Sequence, residues 1–157
     1  MSTVNRNETR SSERDSGLPR VAAVIGAGTI GTSWATLFAM HEIQVRVYDL
    51  TDELLEASRS ETARILHFFA RHDCLREPAP AVQKRIAYTT NIERAAEGAA
   101  YVQESCSEDY SAKKEVFARL DRLCADDVLL ASSTSGLLMS EIQRGLDSPQ
   151  RCVIVHP

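Results

Sequence analysis

The stretch Val21-Ala-Ala-Val-Ile-Gly-Ala-Gly-Thr-Ile-Gly31 decides the fold. Val21 to Ile25 form an unbroken apolar run that ends at Gly26, the pattern of a strand buried on both faces of a parallel sheet. From Gly28 to His41 the period becomes helical. Ile30, Trp34, Leu37 and Phe38 recur at helical spacing and predict one buried face. Between strand and helix, Gly26-Ala-Gly28-Thr-Ile-Gly31 is a G-x-G-x-x-G in the strand–turn–helix context that a dinucleotide site requires. Gly26 permits the tight turn, Gly28 leaves room for a pyrophosphate against the backbone, and Gly31 lets the helix approach the strand. The first helical turn, with Thr29 and Ile30, offers unpaired N–H groups and a partial positive charge to the phosphates.

Working outward, Gln44 to Tyr48 reads as the second strand and ends at Asp49, 23 residues past Gly26. A carboxylate there accepts hydrogen bonds from the adenosine ribose and repels a 2′-phosphate, so NAD is favoured over NADP. A flavin dinucleotide or another nucleotide would also suit the turn. The plainer alternative is a glycine-rich turn without a ligand.

A long helix is predicted over Asp52 to Arg71, capped by Thr51 or Asp52, with Leu54, Leu55, Ile65, Leu66 and Phe69 as candidate core. Glu77 to Pro80 is a loop, and Ala81 to Arg85 a short helical turn. Ile86 to Thr89 is a strand, and Asn91 caps a helix to Glu97. Strands follow at Ala99 to Gln103, Val128 to Ala131 and Cys152 to Val155. Helices lie between them at Asp109 to Leu123, with Val116, Phe117, Leu120 and Leu123 on one stripe, and at Ser140 to Arg144. This alternation predicts an α/β, Rossmann-type, doubly wound and mainly parallel sheet over residues 19–157. Residues 1–18 read as a disordered polar tail, in which Arg6, Arg10 and Arg14 are matched by Glu8, Glu13 and Asp15.

Composition agrees with one globular domain. The 157 residues are 43% hydrophobic and 25% charged, with 18 basic and 22 acidic residues and a formal charge of −4. A nucleic-acid or anionic-membrane partner is not expected from that balance. No apolar run approaches a membrane span and no secretory h-region opens the chain. The four cysteines, Cys74, Cys106, Cys124 and Cys152, are 18 to 32 residues apart. That spacing points to free thiols in a reducing cytoplasm and to no metal site.

Four segments then carry a family resemblance. They are Val24-Ile-Gly-Ala-Gly-Thr-Ile-Gly-Thr-Ser-Trp-Ala35, Gln103-Glu-Ser-Cys-Ser-Glu-Asp109 with Lys113, Ala131-Ser-Ser-Thr-Ser-Gly-Leu137, and Arg151-Cys-Val-Ile-Val-His-Pro157. From Val21 to Pro157 the chain resembles the N-terminal NAD-binding domain of the 3-hydroxyacyl-CoA dehydrogenase family. That family includes L-gulonate 3-dehydrogenase (lambda-crystallin) and carnitine dehydrogenase branches. The resemblance implies an oxidoreductase that converts the 3-hydroxyl of a hydroxyacyl-CoA or related hydroxy acid to a ketone, with hydride passing to NAD.

It also implies roles by position. Glu108 and Lys113 would contact the nicotinamide half of NAD, although Glu108 and Asp109 also suit a helix N-terminus and Lys113 a solvated helix face. Ser135 would lie near substrate and nicotinamide, with Ser132 as a weaker candidate. The hydroxyls of Ser132 to Ser135 equally suit turn chemistry. His156 would be the general base, since an unperturbed imidazole titrates near 6.5 and suits proton transfer at neutral pH. His41, His67 and His72 read as surface residues. The resemblance further leads us to expect a helical C-terminal substrate domain, absent from this chain and carrying a glutamate that orients the histidine. A truncated enzyme, a split enzyme and a non-catalytic NAD-binding module all stand as readings, and a homodimer is among the assemblies the resemblance allows.

Overall fold

A computed structural model describes residues 19–157. The polar tail expected over residues 1–18 lies outside the described residues. Strand β1 (Val21–Ile25) leads into helix α1 (Thr29–Met40), then β2 (Gln44–Tyr48) and α2 (Asp52–Arg71). Next come α3 (Ala79–Gln83), β3 (Ile86–Thr89), α4 (Ile92–Ala96), β4 (Tyr101–Glu104) and α5 (Tyr110–Leu123). The chain continues through β5 (Leu129–Ser132), α6 (Met139–Ile142), a 3₁₀ turn at Pro149–Arg151 and β6 (Cys152–Ile154).

The strands form one sheet in the order β3-β2-β1-β4-β5-β6, and all five pairings are parallel. Because side chains alternate across a strand, β1 feeds two cores. Ala23 and Ile25 pack with Ile92, Phe117, Leu120 and Ile142 of α4, α5 and α6. Val24 packs on the other face with Ala35, Ala39, Leu55, Leu66 and Val82 of α1, α2 and α3. The strand order reverses between β1 and β4, so a crevice opens at the carboxyl ends of these two strands.

The predicted buried face of α1 is corrected by the structure. Ile30 and Leu37 are 40% and 43% exposed, and Trp34 and Phe38 are only partly covered. The buried residues are Gly31, Thr32, Ala35, Thr36 and Ala39. Small side chains let α1 lie close to the sheet, and size alone pointed to the wrong side. The hydroxyls on this face are satisfied locally. Thr32 Oγ1 donates to the Ala27 carbonyl at 3.1 Å and meets Ser58 Oγ at 2.8 Å. Thr36 Oγ1 reaches Thr62 at 3.4 Å, and Thr62 in turn meets the Tyr88 hydroxyl at 3.2 Å. Such pairs remove the cost of burying hydroxyls between α1 and α2.

Helix α2 has the predicted bounds, and Thr51 Oγ1 caps it by accepting from Leu54 N at 3.4 Å. Leu54, expected in the core, is exposed, as is Leu123 of α5. Strands β4 and β5 run one residue further than expected, to Glu104 and Ser132, because both of those polar residues find partners inside. Strand β6 ends at Ile154, one residue short of the expected Val155. Among the described residues no helix is long and apolar enough to cross a membrane.

Candidate functional site: the switch-point crevice

A cavity of about 450 Å³ occupies the crevice, lined among others by Gly26, Gly28, Asp49, Leu54, Ser105 and Cys106. Each glycine of the turn has a distinct geometry. Gly26 has φ +104°, and a Cβ there would stand 2.6 Å from the Ser105 carbonyl oxygen. A Cβ on Gly31 would fall 1.8 Å from the Gly26 oxygen, so the turn and helix touch at the backbone. A Cβ on Gly28 would meet nothing within 4 Å. The protein itself therefore does not need glycine at 28, and the open space fits a pyrophosphate against the chain. Gly28 is also the N-cap of α1 and places no side-chain cap over the helix end. That leaves the first-turn N–H groups to a ligand.

Asp49 closes the crevice from β2. Its Oδ2 accepts from Ala27 N at 2.6 Å, and its Oδ1 accepts from Leu50 N at 2.7 Å. A carboxylate has about four lone-pair positions, so two remain open to a ligand. Asp49 thus ties the glycine turn to β2 as well as facing the cavity. Cys106 forms part of the opposite wall. Burial, and then the neighbouring Glu104 carboxylate, push its thiol up to about 12, so it is a neutral surface at physiological pH.

On the β4–β5 side the structure brings the predicted residues together through one that sequence reading missed. Lys113, 1% exposed, bonds Glu104, 0% exposed, with Nζ 2.7 Å and 3.0 Å from the two carboxylate oxygens. Ser132 Oγ also donates to Glu104 Oε2 at 2.5 Å. The plainer alternative, a solvated Lys113, does not hold. Lys113 shares a helical stripe with Phe117 and Leu120, which is the sequence signal that a buried lysine needs an anion. Asp109, not Glu108, caps α5, accepting from Ala112 N at 2.9 Å.

Glu108 instead reaches across to the β5 turn. Its Oε1 accepts from the Thr134 hydroxyl and from Ser135 N and Gly136 N, both at 3.2 Å. Lys113 Nζ is 3.7 Å from its other oxygen. The Thr134 hydroxyl, then the Gly136 N–H, the Lys113 charge and the Ser135 N–H, hold the Glu108 carboxyl below its ordinary range against partial desolvation. Ser135 is exposed beside this carboxylate. His156 is exposed just past β6, after Val155 N donates to the Ser132 carbonyl at 2.9 Å. Thr29 and Ile30 sit exposed in the first turn of α1. His41, His67 and His72 are on the surface as expected.

Comparison with known proteins agrees with this geometry. Residues 21–157 match the family model described as 3-hydroxyacyl-CoA dehydrogenase, NAD binding domain. The human lambda-crystallin homolog is 34% identical over 137 residues, which cover 85% of this chain and 43% of that protein. An L-carnitine dehydrogenase from a Pseudomonas species is 31% identical, covering 86% of this chain and 41% of the relative. The crystal structure of 3-hydroxybutyryl-CoA dehydrogenase from Escherichia coli K12 superposes with a TM-score of 0.83 at 31% identity, covering 88% of this chain and 29% of that one. The chain thus spans less than half the length of these relatives. With a parallel sheet in the order 3-2-1-4-5-6, a glycine turn at its switch point and a family match from β1 to Pro157, the chain belongs to the NAD-binding domain family of the 3-hydroxyacyl-CoA dehydrogenases.

Proposed function

We propose that this domain holds NAD for the oxidation of a 3-hydroxyacyl-CoA or a related hydroxy acid. The observation that carries the proposal is the crevice itself. There an open Gly28, an uncovered helix N-terminus and the Asp49 carboxylate converge beside the ends of β1 and β4. The Gly26–Gly31 turn, with Thr29 and Ile30, holds the pyrophosphate, and Asp49 takes the adenosine ribose hydroxyls. Glu108 faces the nicotinamide half, and Lys113 supports it from below through Glu104 and its own approach to Glu108. Ser135 lies toward substrate and nicotinamide. His156 takes the proton from the substrate hydroxyl, and NAD supplies the hydride acceptor.

A second, helical domain completes the substrate pocket, as the greater length of the relatives suggests, and the assembly is a cytoplasmic homodimer. A hydroxy acid without CoA is the second reading. The lambda-crystallin and L-carnitine dehydrogenase relatives favour it.

The test follows NADH formation at 340 nm with (S)-3-hydroxybutyryl-CoA, L-gulonate and L-carnitine, for this domain together with the helical domain that completes its pocket, as the parent and as His156→Gln. Loss of a positioned general base removes about 10²–10⁴ in rate. A His156→Gln protein that turned over as fast as the parent would remove His156 from the chemistry.

A further inference from the structure

Gln103 lies in the middle of the sheet, and no role above uses it. It pairs in register with Val24 of β1 and Ala131 of β5, and all three are 0% exposed. An amide in such surroundings costs free energy unless each polar atom is bonded. Here each one is. The Tyr101 hydroxyl donates to Oε1 at 2.6 Å. Nε2 donates to Ser133 Oγ at 2.8 Å and to the Val155 carbonyl oxygen at 3.1 Å. A carbonyl can only accept, so the Val155 contact settles which end of the amide is nitrogen.

The partners are not arbitrary. The Val155 carbonyl belongs to the peptide unit that carries the His156 nitrogen. Strand β6 is three residues long and, among the described residues, pairs only with β5. Beyond Ile154 the chain is held by Val155 N on the Ser132 carbonyl at 2.9 Å and by Gln103 on the Val155 carbonyl. Ser133 begins the turn that leads to Ser135, and its hydroxyl also meets Ser105 Oγ at 2.8 Å. Ser105 is the residue whose carbonyl abuts Gly26. One buried side chain therefore links the ends of β4, β5 and β6.

We infer that Gln103 is a positioning residue that fixes the Val155–His156 peptide, and with it the origin of the His156 side chain, against the end of β4. Its importance for catalysis rests on reading His156 as the base, while the contact itself does not. The experiment is solution NMR of the isotope-labelled chain, without cofactor. In the parent, the Gln103 side-chain amide protons should exchange slowly and show cross-peaks to the backbone protons of Val155 and His156. In Gln103→Met, the order parameters of the Val155 and His156 amides should drop from the rigid range near ~0.85 to below ~0.6, while those of β1 and α5 hold. Ser133→Ala removes the other acceptor and leaves the Val155 bond, so His156 should stay ordered.

Absence of the Gln103 cross-peaks in the parent would overturn the inference. So would a folded Gln103→Met variant with an equally rigid His156, or a Ser133→Ala variant that loosens His156 as much. If Gln103→Met does not fold, the parent cross-peaks and Ser133→Ala still decide. A chain that shows the contact but fails to bind NADH would sink the cofactor reading and leave this one standing.

Discussion

The glycine turn makes a prediction in which two neighbouring glycines fail differently. At Gly31 a Cβ would stand 1.8 Å from the Gly26 oxygen and 3.3 Å from Val24 Cγ1, and the oxygen is backbone. Gly31→Ala must push α1 back by roughly 1 Å in an interior packed at crystal density. Overpacking costs about 1–3 kcal/mol, and a backbone clash this close belongs at the upper end. At about 2–4 °C per kcal/mol for a domain of this size, the melting temperature should fall by roughly 6–12 °C. Gly28→Val meets open space at φ −68°, a conformation any residue adopts. Its cost is about 1 kcal/mol for a poorer N-cap, or roughly 2–4 °C. The valine methyls would instead occupy the place of the pyrophosphate. Losing two charge-assisted hydrogen bonds at about 1.5 kcal/mol each weakens NADH by roughly 100-fold or more. Circular-dichroism melting and calorimetric titration of both variants separate the effects. A Gly31→Ala protein that melts with the parent would refute the packing argument. A Gly28→Val protein that binds NADH as tightly as the parent would refute the phosphate argument.

Other consequences are as specific. Asp49→Ala should weaken NADH by about tenfold for each charge-assisted ribose bond lost and narrow the preference over NADPH; an unchanged NADH/NADPH ratio in calorimetry would count against Asp49 as the ribose ligand. Lys113→Met leaves the Glu104 carboxylate buried without its cation, at a cost of about 3–5 kcal/mol in urea unfolding. The double variant Glu104→Leu/Lys113→Met should recover most of it, and no recovery would deny the pair. Because the folded Glu108 carboxyl titrates below its unfolded value of about 4.3, its contribution to the turn is present above that pH and lost as pH falls through the lower folded value. The Ser135 and Gly136 amide resonances should therefore hold constant at every pH above the unfolded value of about 4.3 and move only as pH falls below it; a midpoint above that value would contradict the Glu108 contacts.

Much of this architecture is written in local pattern. The apolar run at Val21–Ile25, the glycine turn and the Thr51 cap each act over a few residues, and the elements they predict stand where expected. The buried side of α1 was not legible, because close packing on a sheet selects Gly31, Ala35 and Ala39, while hydrophobic size selects Ile30 and Leu37. Glu104 and Gln103 escaped for a different reason. A charged or amide side chain at the end of an apolar run looks like a strand boundary. Whether it is one depends on partners far along the chain, Lys113 and Ser132 for Glu104, Ser133 and Val155 for Gln103. The family resemblance placed Glu108 and Ser135 in one site, and the backbone of Ser135 does meet the Glu108 carboxylate. What the pattern could not supply was the buried pair beneath them.

A crevice already formed for NAD should take up the dinucleotide without further partners. The decisive measurement is calorimetric titration of the purified protein with NADH and then NADPH. One site for NADH with at least about tenfold weaker binding of NADPH is the predicted result. A folded chain that binds neither dinucleotide, or binds NADPH better, would contradict it.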